Sequence, residues 1–187
     1  MSLRFSLTLI FAFSLAACDR EAPPEVQEQG ALADDKPNLS GTIDRTYQGE
    51  LMPAILVQDP DGRQLNTGAL QGRPVLVNLW ATWCAPCVVE MPMLDDLAAE
   101  YEGAMQVLTV SQDMQGAAKV EPFFAQRKFA HLQPWLDPDN ALGFAIGSGV
   151  LPTSVLYDGQ GKEVWRVVGE YDWSSAAARE QIAAVLE

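Results

Sequence analysis

The chain has 187 residues, 48% of them hydrophobic and 20% charged, which suits one well-buried domain and excludes a wholly disordered chain. Twelve basic residues against 25 acidic ones leave a formal net charge of -13, which excludes a nucleic-acid partner held by clustered Lys and Arg and opposes adhesion to anionic lipid. Three cysteines cannot form a disulfide scaffold and a single histidine cannot build a His-rich cage, so no metal site is expected.

The first segment reads as an address. Met1–Arg4 is a short basic start, and Phe5–Ala17 is an unbroken run of apolar or small residues. That run falls short of the roughly 20 residues a membrane-spanning helix needs, but it suits the apolar core of a secretory signal. Leu15-Ala16-Ala17-Cys18 resembles the lipobox of bacterial lipoproteins, which implies removal of residues 1–17 and a lipid on the Cys18 sulfur. A plain signal-peptidase site ending at a bystander cysteine is the alternative. Lipidation also consumes the odd cysteine, which is awkward in an oxidising compartment. In the lipoprotein pattern Asp19 implies retention in the inner membrane, with the protein in the periplasm. Residues 18–46 then form the lipidated cysteine and an acidic tether with Pro23, Pro24, Pro37 and no aromatics, reaching roughly 30 Å as a flexible coil.

The globular domain is expected over residues 47–187. Ala54–Val57 and Gln64–Leu65 flank the turn Asp59-Pro60-Asp61-Gly62, an opening hairpin. Pro74–Trp80 is nearly all apolar and β-prone, as a central strand covered on both faces must be. Ala85–Tyr101 carries Val88, Met91, Leu94, Leu97, Ala98 and Tyr101 at helical spacing, with Pro92 expected to kink it. Met105–Ser111 reads as a second, parallel strand, Gln115–Phe129 as a helix, and Asn140–Ile146 as a short helix after Asp137-Pro138-Asp139. Ser154–Asp158 and Glu163–Val168 form a closing hairpin, and Ser174–Leu186 a final helix. Strands alternating with helices, then a hairpin and a helix, predict an α/β fold with a central mixed sheet flanked by helices.

The chemistry sits in Trp83-Cys84-Ala85-Pro86-Cys87, between the central strand and the long helix. Cys84 is expected at the helix N-cap, where unpaired N–H groups and the helix dipole favour the reactive thiolate. Pro86 in the first turn loses no hydrogen bond. Residues three apart on a helix have Cβ atoms about 5–6 Å apart, within reach of a disulfide after small adjustment. Cys87 faces inward, able to attack a mixed disulfide on Cys84. A structural staple is a poor alternative, because closing so short a loop contributes only about 2 kcal/mol. A zinc site is poorer still, since two cysteines are half a ligand set and His131 lies in a polar loop stretch.

Val75 through Cys87, followed by Glu90-Met91-Pro92, closely resembles the membrane-tethered TlpA/ResA branch of the thioredoxin superfamily. Leu151-Pro152-Thr153-Ser154-Val155-Leu156-Tyr157-Asp158 with Gly161, and Gly169-Glu170-Tyr171-Asp172-Trp173, are more similar to TlpA. The resemblance covers about residues 50–187. It implies a thioredoxin fold with an N-terminal β-hairpin extension and a protein thiol–disulfide oxidoreductase with no cofactor beyond a redox-active Cys84–Cys87 disulfide. Cys84 would be the attacking thiol and Cys87 the resolving one. A cis Leu151–Pro152 bond would face them, offering the Leu151 backbone to a client's extended cysteine segment. Trp83, Ala85, Pro86, Leu151, Pro152 and Thr153 would form the client-binding surface. Glu90 matches the acid of this branch and would exchange the proton of Cys87. Asn78 stands where thioredoxin has a buried carboxylate.

No histidine lies between the cysteines, and the Glu90 charge is expected to oppose a nearby thiolate, so the pair is expected to act as a reductant. The resemblance implies an electron donor of the CcdA/DsbD type. The implied clients are copper-assembly proteins and apo-subunits of cytochrome oxidase, or apocytochrome c. Val150-Leu151-Pro152-Thr153 lacks the Glu usual in cytochrome c maturation reductases, which favours the oxidase branch. Two rivals fit less well. A copper-binding assembly factor of the Sco type expects three residues between its cysteines, and a peroxiredoxin expects Thr where this chain has Ala81.

Overall fold

The structure, a computed structural model, describes residues 41–186. The signal segment, Cys18 and the tether as far as Ser40 lie outside the described residues. The chain runs β1 (Ile43–Asp44), β2 (Leu56–Gln58), β3 (Gln64–Asn66), β4 (Val75–Trp80), α1 (Ala85–Glu100), β5 (Gln106–Ser111), α2 (Ala117–Arg127), β6 (Trp135–Leu136), α3 (Ala141–Ile146), β7 (Thr153–Tyr157), β8 (Glu163–Val168) and α4 (Ala176–Leu186). These strands make one mixed sheet in the order β1-β8-β7-β4-β5-β6-β2-β3. β4 pairs in parallel with β5 and antiparallel with β7, and β5 pairs in parallel with β6.

All six residues of β4 are buried, which is why its sequence is almost continuously apolar. By the two-residue period, Val75, Val77 and Leu79 face one core with Val155, Tyr157 and the α3 residues Leu142 and Ile146. Leu76 and Trp80 face the other, beneath Met91, Leu94 and Leu97 of α1, Val120 of α2, and Ala178 and Ile182 of α4. Each apolar side chain of this size contributes about 1.5–3 kcal/mol by full burial. Asn78 shares the second face and is the one polar side chain β4 presents to α1.

The expected elements are present, with informative differences. The hairpin closes with Val57 opposite Leu65, and Gly62 takes the left-handed φ of 84° its turn requires. Helix α1 continues unbroken past Pro92, whose missing N–H leaves the Val88 carbonyl without its helical donor. Ile43 and Asp44, expected in the tether, instead pair with Val167 and Arg166, and Gly41 N donates to Glu170 O at 2.6 Å. Their polar composition concealed this, because an edge strand of two residues is held by backbone hydrogen bonds rather than side-chain burial. β6 is equally short and has no periodicity to read.

Candidate active site

β4 ends at Trp80, and the turn through Ala81–Trp83 delivers Cys84 to the N-cap of α1. The turn is held from below by Asp113, buried just past the end of β5. It accepts from Thr82 N at 2.9 Å, Thr82 Oγ1 at 2.8 Å and Ser111 Oγ at 2.8 Å. Cys84 and Cys87 are joined in a disulfide with Cα atoms 5.3 Å apart, and Cys84 Sγ accepts from Cys87 N at 3.3 Å. That N–H is one of the four a helix start leaves unpaired, so a thiolate on Cys84 would meet a donor and the positive end of the helix dipole. Cys84 is 6% exposed and Cys87 1%, so a partner meets Cys84 first. Trp83 beside them is 70% exposed, Ala85 is exposed and Pro86 half-buried.

One turn beyond Cys87 on the same face of α1, Glu90 is fully buried. Burial pushes its carboxyl from the ordinary 4.5 up to about 8, against the opposing pull of the Tyr171 N–H, which donates to Glu90 Oε1. The Trp173 indole lies close enough to pull the same way, but its N–H falls short of hydrogen-bond geometry and, among the described residues, has no partner. Asn78 Nδ2 donates to Ser154 Oγ at 2.9 Å and lies 3.5 Å from Glu90 Oε2. A side-chain amide suits this place: it donates to a carboxylate and, with the amide reversed, accepts from a carboxylic acid. Glu90 is therefore mostly protonated at neutral pH. Its charge therefore opposes a nearby thiolate mainly toward and above pH 8.

The Leu151–Pro152 bond is cis, as expected. Leu151 is half-buried, and its N–H and C=O have no backbone partner among the described residues. Thr153 is fully buried, its hydroxyl 2.8 Å from Val150 O and 2.9 Å from Ser148 Oγ. It shapes the loop from within and does not face a client, unlike the exposed Trp83. Several residues of this region were not foreseen. Asp113 anchors the turn before Cys84, and Tyr171 and Trp173 enclose Glu90. Met114 and Phe144 stand 82% and 80% exposed. Glu90 itself had a legible signal, an acid on the buried stripe of an amphipathic helix.

A thioredoxin-like sheet carrying a bonded Cys-x-x-Cys pair at the head of its longest described helix defines a thiol–disulfide oxidoreductase. The Redoxin family model matches residues 47–186, and the chain belongs to that family, in its TlpA/ResA-type thioredoxin-like branch. Over 123 residues it is 31% identical to the thiol-disulfide oxidoreductase ResA of Bacillus thuringiensis, covering 65% of this chain and 70% of that one. Over 155 residues it is 34% identical to the thiol:disulfide interchange protein DsbE of Pseudomonas aeruginosa, covering 83% and 81%. A crystal structure assigned to DsbE of Chlorobium tepidum matches with a TM-score of 0.67 at 27% identity, covering 75% of this chain and 98% of that one.

Proposed function

We propose that this oxidoreductase is a periplasmic reductase, anchored to the inner membrane by a lipid on Cys18, that keeps client cysteines reduced. The observation that carries the reading is the placement of Cys84 at a helix N-cap with Cys87 one turn deeper and the buried acid Glu90 beyond it. In the reduced protein the Cys84 thiolate attacks one sulfur of a client disulfide, forming a mixed disulfide and releasing the other client sulfur as a thiolate. Cys87 loses its proton to ionised Glu90, directly or through water, and its thiolate attacks Cys84 Sγ. The mixed disulfide breaks, the second client thiolate leaves, and Cys84–Cys87 closes. Glu90 then returns the proton to a client thiolate or to water. Two electrons pass to the client together with the proton of Cys87, and water, which took the proton of Cys84 when its thiolate formed, supplies the proton of the other client thiolate. A raised carboxyl value suits this exchange, since Brønsted matching favours a group titrating near the working pH.

Trp83, Ala85 and Pro86 on one side, with Leu151 and Pro152 on the other, frame the approach to Cys84, while Thr153 supports the loop. The uncharged Ala85-Pro86 pair gives the thiolate no extra stabilisation, which supports a reducing pair that a CcdA/DsbD-type membrane thiol carrier recharges. The clients are copper-assembly proteins or apo-subunits of cytochrome oxidase, with apocytochrome c as the second class. The lipobox-like Leu15–Cys18 and the acidic stretch after it support the anchor. The test is Cys87→Ser of the full chain in cells. Cys84 then accumulates as a mixed disulfide with its client, identified by mass spectrometry, and lipid is found on Cys18. No Cys84-linked protein would refute the reductase, and an unmodified Cys18 would refute the anchor.

A further inference from the structure

In the connector between β8 and α4, the Glu170–Tyr171 peptide is gripped at both of its polar atoms. Its carbonyl accepts from Gly41 N at 2.6 Å, and its N–H, that of Tyr171, donates to Glu90 Oε1. A peptide unit is planar, so this N–H cannot turn away from Glu90 unless the C=O turns away from Gly41. A hydrogen bond at the oxygen also polarises the unit and strengthens donation from its nitrogen. One residue earlier, Gly169 N donates to Pro152 O at 2.9 Å, which ties the same connector to the cis-proline loop.

Gly41 reaches this peptide because it has no side chain. A Cβ there would stand 2.5 Å from Glu170 O, 3.2 Å from Glu170 C and 2.7 Å from Val167 Cγ1. The first two are backbone and Val167 is fully buried, so a side chain at this position must move the connector or lift Gly41 away. β1 keeps Gly41 in place, with Ile43 opposite Val167 and packed on the core beneath α1. The next part of the connector is held separately. Trp173 is buried, stacked on Trp165 with ring centroids 6.3 Å apart, and Tyr171 meets it edge-on at 5.0 Å. Turning the peptide therefore takes a donor from Glu90 while the aromatic cover stays.

We propose that Gly41 is a positioning residue for Glu90: through the Glu170–Tyr171 peptide, β1 fixes the backbone donor that the active-site acid meets. This role rests on the reading of Glu90 as the proton exchanger of Cys87. The Tyr171 N–H favours the ionised carboxylate, so its loss raises Glu90 further above about 8. Cys84 and Cys87 lie at the head of Glu90's own helix. The connector adds the Tyr171 phenol and Glu170, whose charge opposes ionisation. β4 and β7 present the neutral Asn78 and Ser154. On β8, Glu163 and Arg166 pair with each other and Arg166 reaches Ile146 O of α3, while on β1 Asp44 accepts from Thr46.

The test follows the Glu90 carboxyl by NMR in the full chain carrying isotope-labelled glutamate, its resonance assigned by its loss in Glu90→Gln. The disulfide form is used, in which neither cysteine titrates. Gly41→Ala adds the Cβ and Gly41→Pro removes the N–H. β1 is an outermost strand of the sheet, and thermal unfolding checks that each variant folds. Both are expected to raise the Glu90 midpoint by about one pH unit, the weight of a lost hydrogen bond to a charged group. The ionised fraction at pH 7 then falls about tenfold, and single-turnover reduction of a disulfide-linked peptide slows by about the same factor. That gap closes as pH rises through the new midpoint. In the Glu90→Gln background the same substitutions should change the rate by less than about twofold, whereas a merely structural role would slow both backgrounds alike. A midpoint that stays at the parent's value or falls in both variants would overturn the proposal. A midpoint that rises while Glu90→Gln reduces the peptide as fast as the parent would support the positioning and refute the proton path.

Discussion

Glu90→Gln keeps the shape of a buried side chain and its hydrogen-bonding reach while removing the ionisable proton. In the unfolded chain this carboxyl titrates near 4.5, and in the folded protein at about 8. Because the folded value is raised, the contribution to stability is fully present below pH 4.5 and is lost as pH rises through 8. Each pH unit in that window costs the parent about 1.4 kcal/mol, so it should lose about 3 kcal/mol relative to the Gln variant between pH 5 and 7. Above pH 8 the loss levels off at about 5 kcal/mol. At about 2–4 °C per kcal/mol for a domain of this size, the variant's melting temperature should gain about 5–10 °C on the parent between pH 5 and 7. Thermal unfolding of the disulfide forms from pH 5 to 9 reads the difference, from which other titrating groups cancel. Curves that stay parallel across the range would show that burial does not raise Glu90. The same variant should slow disulfide exchange near neutral pH by about 10²-fold, the usual weight of a positioned acid–base group. An unchanged rate profile would remove Glu90 from the proton path.

Asp113→Ala strips Thr82 N, Thr82 Oγ1 and Ser111 Oγ of their acceptor, so it should destabilise the protein by about 2–4 kcal/mol in urea and slow client reduction through the displaced Cys84 turn. Arg166→Met leaves Glu163 buried without its bidentate partner and should cost about 3–5 kcal/mol, measured by chemical denaturation. Adding Glu163→Gln should recover much of that loss, because the isolated charge is the main penalty. Asp95→Ala should cost about 1–3 kcal/mol, since Asp95 accepts from the backbone of Ala130, His131 and Leu132 and ties that loop to α1.

What the residues reveal in advance follows from how each part is held. β4 is buried on both faces, so its apolar run alone marks a central strand, and the Cys84–Cys87 spacing at its exit marks a redox pair. Glu90 was singled out by its match to the acid of the TlpA/ResA branch, but its protonation depends on burial, partly beneath Tyr171 and Trp173, which approach from eighty-odd residues away in the chain. β1 and β6 depend on backbone pairing with neighbours that no local pattern encodes. The apolar surface beside Trp83 is the least legible part. Met114 follows β5, Phe144 lies on α3 and Val150 on the proline loop, and only the closed sheet brings them to one place.

Exchange of the Cys84–Cys87 bond with a client disulfide is read by counting thiols. The reduced full chain, freed of dithiothreitol, is mixed with a disulfide-linked client peptide, and free thiols on each partner are counted over time by mass labelling. Two peptide thiols should appear for each Cys84–Cys87 disulfide formed, and Cys84→Ser should abolish the transfer. A peptide that stays oxidised while the pair remains reduced, or a Cys84→Ser protein that reduces it equally well, would show that these sulfurs do not carry the exchange.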